Sequence, residues 1–255
     1  MPCLPNAPDA LCLRAMMQDE QDGSQAAPDN EGIRISKEAI AALPLGQYTG
    51  RIVVIETPED APAAVAALCK ERVLGFDTET KPAFKRGVTY LPSLLQLAGE
   101  HVVYLFRLDV CGGIPVLFPA LSSPDILKVG VAVRDDVRSL KERAPFKDAG
   151  FIEISNYTRH AGIENTGLRA LAAHFLGLRI SKGAQTSNWA SKHLSPQQII
   201  YAATDAWISR MLYLHLEKQG AVVPGVGALA PVFEKVEKPG SGRGRRSGRA
   251  RGRQE

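Results

Sequence analysis

Four short runs of apolar residues, separated by polar turns, stand out between residues 50 and 110. Each run is rich in Val, Ile, Leu or aromatic residues and is too short for a buried helix, so each predicts a strand. The runs span residues 52–55, 73–80, 93–98 and 101–106. Only Gly99 and Glu100 separate the last two runs, which favours a hairpin. The strand at 73–80 and the two that follow it are therefore expected to be consecutive and antiparallel.

After residue 114 helical and strand-like segments alternate, which favours parallel strands added to the same sheet. The predicted elements are a helical piece at 114–121, a strand at 127–131, a helix from 135 to about 143, a strand at 151–154 and a helix at 166–176 that Gly177 ends. Earlier in the chain, Pro58 is expected to open a helix through Leu68, because proline suits a first turn and the alanines that follow favour helix.

The last periodic segment carries a strong helix-start signal. Ser195 is a favourable N-cap, Pro196 suits the first helical position, and Gln198 stands three residues after the cap, as in a capping box. An amphipathic helix is predicted from this point to about Lys218.

Both ends of the chain differ from its middle. Residues 1–32 contain four prolines, several acids and amides and little periodicity, which predicts a disordered segment, and Met16 or Met17 is an alternative start. Residues 221–255 lose periodicity and end in a Gly/Arg/Ser-rich stretch, which predicts a disordered basic tail. Residues 33–220 are therefore expected to form one α/β domain.

Positive charge is concentrated in the C-terminal tail. The formal net charge is +4, but residues 240–255 hold six arginines and one glutamate, so the rest of the chain sums to −1. Attraction to a polyanion is expected in the tail, where Arg243, Arg245 and Arg246 are candidate nucleic-acid contacts with no means of reading sequence.

Other compositional signals exclude several classes of protein. No apolar run approaches the roughly 20 residues that a membrane helix needs, and the N-terminus lacks the basic and apolar regions of a signal peptide. The four cysteines show no C-x-x-C spacing, which argues against a zinc site and a disulfide framework. We therefore expect a cytoplasmic location and no membrane partner.

Two carboxylates interrupt the apolar strand predicted at 73–80. Asp77 and Glu79 are two residues apart, so in an extended chain their side chains leave the same face. A divalent cation would remove their repulsion, and ligands that offer only oxygen suit magnesium or manganese. For this motif alone, the more frequent alternative is a strand end that frays into a solvated acidic turn.

Two later segments supply further acidic or phenolic groups. Asp135 and Asp136 follow an apolar strand, where sites are built in α/β sheets, although either residue could instead cap the next helix. Tyr201 and Asp205 are four residues apart on the last helix, which places them on one face. Taken alone, that pair is more simply interpreted as a core tyrosine and a surface aspartate.

The order and spacing of these segments resemble a known family. The stretches 76–79, 130–140 and 201–206 are similar to the three exonuclease motifs of the DEDD superfamily, in the branch whose third motif is Tyr-x-x-x-Asp. The resemblance is to the ribonuclease D and Werner-type exonuclease domains and covers about residues 50–220. It implies a ribonuclease H-like α/β fold with a mixed central sheet flanked by helices.

The resemblance also implies a site and an activity. Asp77, Glu79, Asp136 and Asp205 would hold two divalent metal ions, Mg²⁺ or Mn²⁺, and Tyr201 would orient a water. Asp136 is preferred to Asp135 because it stands four residues before Leu140, as in the family motif. The implied activity is hydrolysis of phosphodiester bonds from the 3′ end of DNA or RNA, with the choice between them open.

Several residues are weaker candidates for nucleic-acid contacts. Lys81, Lys85 and Arg86 follow the acidic strand, although a basic loop is more often only solvated. Lys182 and Trp189 precede the last helix and could contact a phosphate and stack on a base, respectively, although Trp189 could equally belong to the core. Two rival functions stay open: a non-catalytic nucleic-acid-binding module, and a phosphodiesterase for short oligonucleotides. The oligomeric state is not indicated.

Overall fold

The computed structural model describes residues 34–222 and 227–229, and these residues form one mixed sheet with helices on both faces. The strands are β1 (Arg51–Ile55), β2 (Val73–Glu79), β3 (Leu94–Ala98), β4 (Val102–Arg107), β5 (Leu127–Gly130) and β6 (Phe151–Glu153). The α-helices are α1 (Lys37–Ala42), α2 (Ala61–Leu68), α3 (Phe118–Leu121), α4 (Val133–Arg143), α5 (Ile154–His160), α6 (Leu168–Leu176) and α7 (Pro196–Lys218), and a 3₁₀ turn at Pro115–Leu117 leads into α3.

The sheet has the order β1-β4-β3-β2-β5-β6. Strands β2, β3 and β4 pair antiparallel, as the hairpin pattern predicted. Strands β5 and β6 add in parallel next to β2, as the later alternation of helix and strand predicted. The first strand, β1, pairs parallel with β4 at the opposite edge. The prediction of an α/β domain with a mixed central sheet is confirmed.

Strand β2 lies in the interior of the sheet and is covered on both faces. Leu74 and Phe76 point into a core cluster that also contains residues of α2 and α4. The alternate residues point toward α7, and Val73 packs in the same cluster as apolar residues of that helix. Because strand side chains alternate, Asp77 and Glu79 lie on the α7 face at the end of β2.

Helix α7 lies very close to the sheet because small residues meet at the contact. Ala202, Ala203 and Ala206 are buried against the sheet. On the strand side, a Cβ added at Gly75 would overlap the carbonyl oxygen of Ala206 and lie 2.9 Å from its carbonyl carbon. Only glycine permits this approach, which brings the middle of α7 next to the end of β2.

Several predicted element boundaries need correction. The predicted helix start at Pro58 is three residues too early. The Thr57 hydroxyl donates to the Asp60 carboxylate and accepts a hydrogen bond from the Asp60 amide, and residues 58–60 form a turn that leads into the helix. Helix α2 begins at Ala61, with Pro62 in its first turn. Helix α4 begins two residues earlier than predicted, and the last residue of the strand predicted at 151–154 belongs to α5. The predicted Ser195 capping box of α7 is confirmed.

The C-terminal segment contributes a short pairing to the sheet edge. The Glu153 amide donates to the Gly227 carbonyl at 2.8 Å, and the Leu229 amide donates to the Phe151 carbonyl at 3.1 Å. The prediction of a disordered tail from residue 221 therefore does not hold for residues 227–229. The predicted disordered segment at 1–32 and the candidate contacts Arg243, Arg245 and Arg246 lie outside the described residues.

Two exclusions made from the sequence can be compared with the described part of the chain. None of its helices combines the length and the hydropathy that crossing a membrane requires. The two cysteines within it, Cys69 and Cys111, are both free thiols.

Candidate metal centre

Three carboxylates from two elements converge at the junction of β2 and α7. Asp77 and Glu79 leave the end of β2 on the face that α7 covers, and Asp205 lies on α7 beyond the close approach at Gly75. One oxygen from each of the three side chains lies within 4.8 Å of the others. Glu79 and Asp205 are only 8% and 6% exposed, and Asp77 is partly exposed. The structure therefore brings together three of the four carboxylates that were predicted from the sequence to hold metal.

Burial and mutual repulsion hold these carboxyl groups near the protonated state. Burial, followed by the charges of Asp205 and Asp136, raises the pKa of Glu79 to about 9. Burial and the neighbouring acids raise the pKa of Asp77 well above its usual range. Burial also raises the pKa of Asp205 to about 7. A cluster that resists ionisation in this way is stabilised when a cation offsets its charge.

Asp136 lies beside this cluster and is held by a residue of β2. The Thr78 hydroxyl donates to Asp136 Oδ1 at 2.6 Å. Burial raises the pKa of Asp136 to about 7, and the charge of Asp136 in turn raises the pKa of Asp77 and Glu79. Asp135 is exposed and instead forms an ion pair with Arg138 at 2.9 Å. The structure therefore favours Asp136 over Asp135 as the acid that faces the site.

The N-terminus of α4, which carries Asp136, is capped from another strand. Its N-cap is Ala132, which has a left-handed backbone (φ 63°) and cannot offer a side-chain cap, so neither Asp135 nor Asp136 has the capping role considered above. Glu153 on β6 accepts hydrogen bonds from the backbone amides of Ala132 and Val133 at 3.2 and 2.9 Å. The buried Glu153 thus fixes the helix start that positions Asp136, a role that the sequence analysis missed.

Tyr201 reaches the site from α7, one turn before Asp205. The ring of Tyr201 packs against the ring of Trp189, with 5.9 Å between the centroids. Trp189 is only 1% exposed and belongs to the core cluster under α7. A residue that stacks on a base needs an exposed ring face, so the predicted stacking role does not fit the buried Trp189. Trp189 instead supports Tyr201 by packing against its ring.

The carboxylates line a cleft of about 610 Å³ whose other walls carry positive charge. Lys37, Arg169 and Lys182 line it together with the three acids and Tyr201. The charge of Arg169 partly offsets the rise in the pKa of Asp205, and its Nε donates to the Ile180 carbonyl at 3.0 Å. Lys182 was a candidate from the sequence. Arg169 was missed, because a single arginine on an apolar helix gives no local sign of what it faces.

The predicted basic contacts after β2 lie outside the described cleft lining. Lys81, Lys85 and Arg86 belong to the loop that follows β2, and Lys85 and Arg86 are exposed. The Lys81 ammonium lies 5.1 Å from the centre of the Tyr90 ring, a cation–π arrangement. Lys81 is therefore engaged with Tyr90, whereas Lys85 and Arg86 are exposed to solvent.

The donor set fits a divalent metal. Three closely spaced carboxylates, with Asp136 next to them, supply only hard oxygen ligands, and the described cleft lining contains neither histidine nor cysteine. This chemistry suits Mg²⁺ or Mn²⁺ rather than a zinc site of nitrogen and sulfur ligands. Asp77, Glu79 and Asp205, with Asp136, are the residues that would hold such ions.

The protein is a ribonuclease H-like domain with a carboxylate site. It has the mixed sheet, the helix that crosses β2 and the acidic centre at their junction. Residues 52–221 match the family described as 3′-5′ exonuclease. The chain belongs to this family, within the DEDD superfamily whose Tyr-type motifs the sequence showed.

The chain is similar to ribonuclease D of Haemophilus influenzae, at 31% identity over 187 residues that cover 71% of this chain and 46% of the relative. It spans about a third to a half of the length of the first curated relatives it matches.

Two solved structures share the fold. The Aedes aegypti Nibbler EXO domain superposes with a TM-score of 0.60 at 23% identity, covering 74% of this chain and 92% of that one. Trypanosoma brucei RNase D in complex with RNA U12 superposes with a TM-score of 0.58 at 22% identity, covering 70% and 64% of the two chains. The ribonuclease H-like fold expected from the sequence is confirmed.

Proposed function

We propose that this chain is a 3′-5′ exonuclease that hydrolyses phosphodiester bonds from the 3′ end of a nucleic-acid strand with two bound divalent metal ions, Mg²⁺ or Mn²⁺. The observation that carries the proposal is the convergence of Asp77, Glu79 and Asp205 within 4.8 Å of one another. Membership of the 3′-5′ exonuclease family and the similarity to ribonuclease D support it. Within this proposal, residues 33–220 are the catalytic domain.

Each residue of the site has a separate task in this proposal. Divalent ions bound in such a centre would supply activation of a water and stabilisation of the charge on the reacting oxygens. Asp77, Glu79 and Asp205 would hold the ions, and Thr78 orients the Asp136 carboxylate toward the same centre. Once ionised, the four carboxylates provide the negative potential that makes the binding of cations favourable.

Tyr201 is proposed to orient the attacking water rather than to act as a base. Burial, and then the charges of the neighbouring acids, raise the pKa of its phenol further above the usual value near 10. The phenol therefore keeps its proton at neutral pH, donates a hydrogen bond to the Asp205 carboxylate and can accept one from a water. The contact with the Trp189 ring limits the orientations of the Tyr201 ring.

Cations around the cleft are proposed to bind the phosphates of the substrate. Lys182 and Arg169 line the cleft next to the acids. The exposed loop of Lys81, Lys85 and Arg86 would contact the strand farther from its end, and the arginines of the tail would tether it without reading its sequence. Phosphate contacts do not distinguish DNA from RNA, so both are substrates to test, and a cytoplasmic location stays a prediction.

Digestion of a single strand labelled at its 5′ end tests this proposal. With Mg²⁺ or Mn²⁺, the labelled products are expected to shorten progressively from the 3′ end, and a metal chelator should stop the reaction. A strand that is bound but stays full length with either metal would support the non-catalytic binding module instead. Faster hydrolysis of dinucleotides than of long strands would support the phosphodiesterase for short oligonucleotides.

The neighbours Asp135 and Asp136 provide a matched pair of variants. Asp136→Asn is expected to lower the cleavage rate by about 10²-fold or more, because it removes a charge that faces the metal centre. Asp135→Asn should stay within about twofold of wild type, because Asp135 is exposed and paired with Arg138. Equal effects of the two substitutions, or a larger effect at Asp135, would contradict the assignment.

A further inference from the structure

Helix α1 precedes the family match at residues 52–221, and contacts at both of its ends hold it next to the site. On its N-terminal side, the Asn165 amide group donates to the Ile35 carbonyl at 3.3 Å, and Arg34 forms an ion pair with Glu164. On its C-terminal side, the Arg179 amide donates to the Pro44 carbonyl at 2.9 Å. These contacts fix both ends of α1 to the loops before and after α6.

Burial of its own side chains does not explain the position of α1. None of its six residues is buried. Lys37 and Ile40 from this helix line the same cleft as Asp77, Glu79 and Asp205. Helix α1 is therefore a wall of the cleft, with an ammonium group and an aliphatic side chain facing the space in front of the carboxylates.

The charge of Lys37 is free to act on a ligand. Lys37 is exposed, and no ion pair or hydrogen bond of its ammonium group occurs among residues 34–222 and 227–229. Arg169, by contrast, is partly engaged by the Ile180 carbonyl. A phosphodiester strand that approaches an acidic cluster is repelled by it, and cations on the cleft walls offset that repulsion and hold the phosphates.

We propose that α1 is a substrate-binding wall, in which Lys37 contacts a backbone phosphate near the 3′ end of the strand and Ile40 lies against the adjoining sugar or base. This inference rests on the proposed exonuclease function and adds to it a strand-binding element outside the family match. Lys37 takes part in binding and not in the chemical step. Its loss therefore changes the affinity for the strand and the KM, while kcat is retained.

The test compares Lys37→Ala with Lys218→Ala in the full chain. Lys218 is an exposed lysine at the end of α7, thirteen residues and therefore roughly 20 Å beyond Asp205 along the helix. Lys37→Ala is expected to raise KM by about 3- to 10-fold with kcat within about twofold, whereas Lys218→Ala should match wild type. Lys37→Arg should restore most of the affinity, because it keeps the charge.

A binding measurement separates the failure of this inference from failure of the proposed function. Fluorescence anisotropy of a labelled single strand in a metal chelator reports binding whether or not the strand can be cleaved. Lys37→Ala should reduce the slope of log Kd against log salt by about 0.7, the amount for one phosphate contact on a single strand. If Lys37→Ala and Lys218→Ala have equal Kd and KM, the inference is wrong even if the wild type degrades the strand. A higher activity of the Lys37→Ala variant would also contradict the inference, because it would show that α1 restricts access to the cleft.

Discussion

Asp205→Asn is expected to lower the rate of strand cleavage by about 10³-fold or more while it stabilises the metal-free protein. Both effects have one cause. Asp205 is only 6% exposed and lies with Asp77 and Glu79 in a cluster whose mutual repulsion a cation would offset. Removing one negative charge weakens the binding of metal and relieves the repulsion that the fold tolerates when no metal is bound.

The sign of the stability effect follows from the raised pKa of Asp205. Its ordinary value is 3.8 and its folded value is about 7, so the folded protein binds this proton more tightly than the unfolded chain does. The associated stability is fully present below pH 3.8 and is lost as the pH rises through about 7. The neutral amide of the Asp205→Asn variant avoids this loss, so the stabilising effect is large at pH 8 and small near pH 4.

The measurement is thermal unfolding in a metal chelator at the two pH values, together with the cleavage assay. At pH 8 the gain should be on the order of 2 kcal/mol, or about 4–8 °C in Tm for a chain of this size. Asp125→Asn removes an exposed carboxylate outside the described cleft lining and should leave both Tm and activity near the wild-type values. An Asp205→Asn protein that cleaves at the wild-type rate would refute the assignment of the site, and a lower Tm at pH 8 would refute its electrostatics.

Gly75→Ala is expected to destabilise the protein by about 3 kcal/mol or more and to remove metal binding from any folded fraction. The new methyl group would overlap the backbone carbonyl of Ala206, which cannot rotate away as the end of a flexible side chain could. Helix α7 must then move away from β2. Because α7 carries Asp205 and β2 carries Asp77, the same movement separates the ligands.

Urea unfolding monitored by circular dichroism measures the first effect, and manganese binding by the folded protein measures the second. Gly167→Ala is the control, since a Cβ at Gly167 has no neighbour within 4 Å and its φ of −71° suits any residue. Gly167 is the N-cap of α6, where alanine is less favourable than glycine, so the control should change the unfolding free energy by about 1 kcal/mol or less. A Gly75→Ala midpoint equal to that of the control would show that α7 does not depend on this close approach.

The parts of the fold that could be predicted from the sequence are those that depend on local signals. The capping box at Ser195 and the buried run that forms β2 are both encoded within a few neighbouring residues. The common face of Asp77 and Glu79 follows from strand geometry alone. Their convergence with Asp205 does not, because it depends on α7 crossing β2, and only the resemblance to the exonuclease motifs anticipated it.

Most of the parts that were missed or wrong depend on long-range contacts. Glu153 caps α4 across about twenty residues of chain, and Lys37 reaches the cleft from a helix outside the family match. Trp189 shows the same limit, because the polar loop that contains it gave no sign that its ring is buried in the core. One error was local: the turn at residues 58–60, closed by the bonds between Thr57 and Asp60, precedes the regular helix, which therefore begins three residues after Pro58.

Calorimetric titration of the metal-free protein with Mn²⁺, at pH 6 and pH 8, tests most directly the claim that these carboxylates form a divalent-metal centre. The pKa values of about 7 for Asp136 and Asp205 and about 9 for Glu79 mean that protons must leave before metal binds. We expect wild type to bind two Mn²⁺ ions, more tightly at pH 8 and with release of protons, and Asp205→Asn to bind them much more weakly. Absence of Mn²⁺ binding, or equal affinity in wild type and Asp205→Asn at pH 8, would contradict the claim.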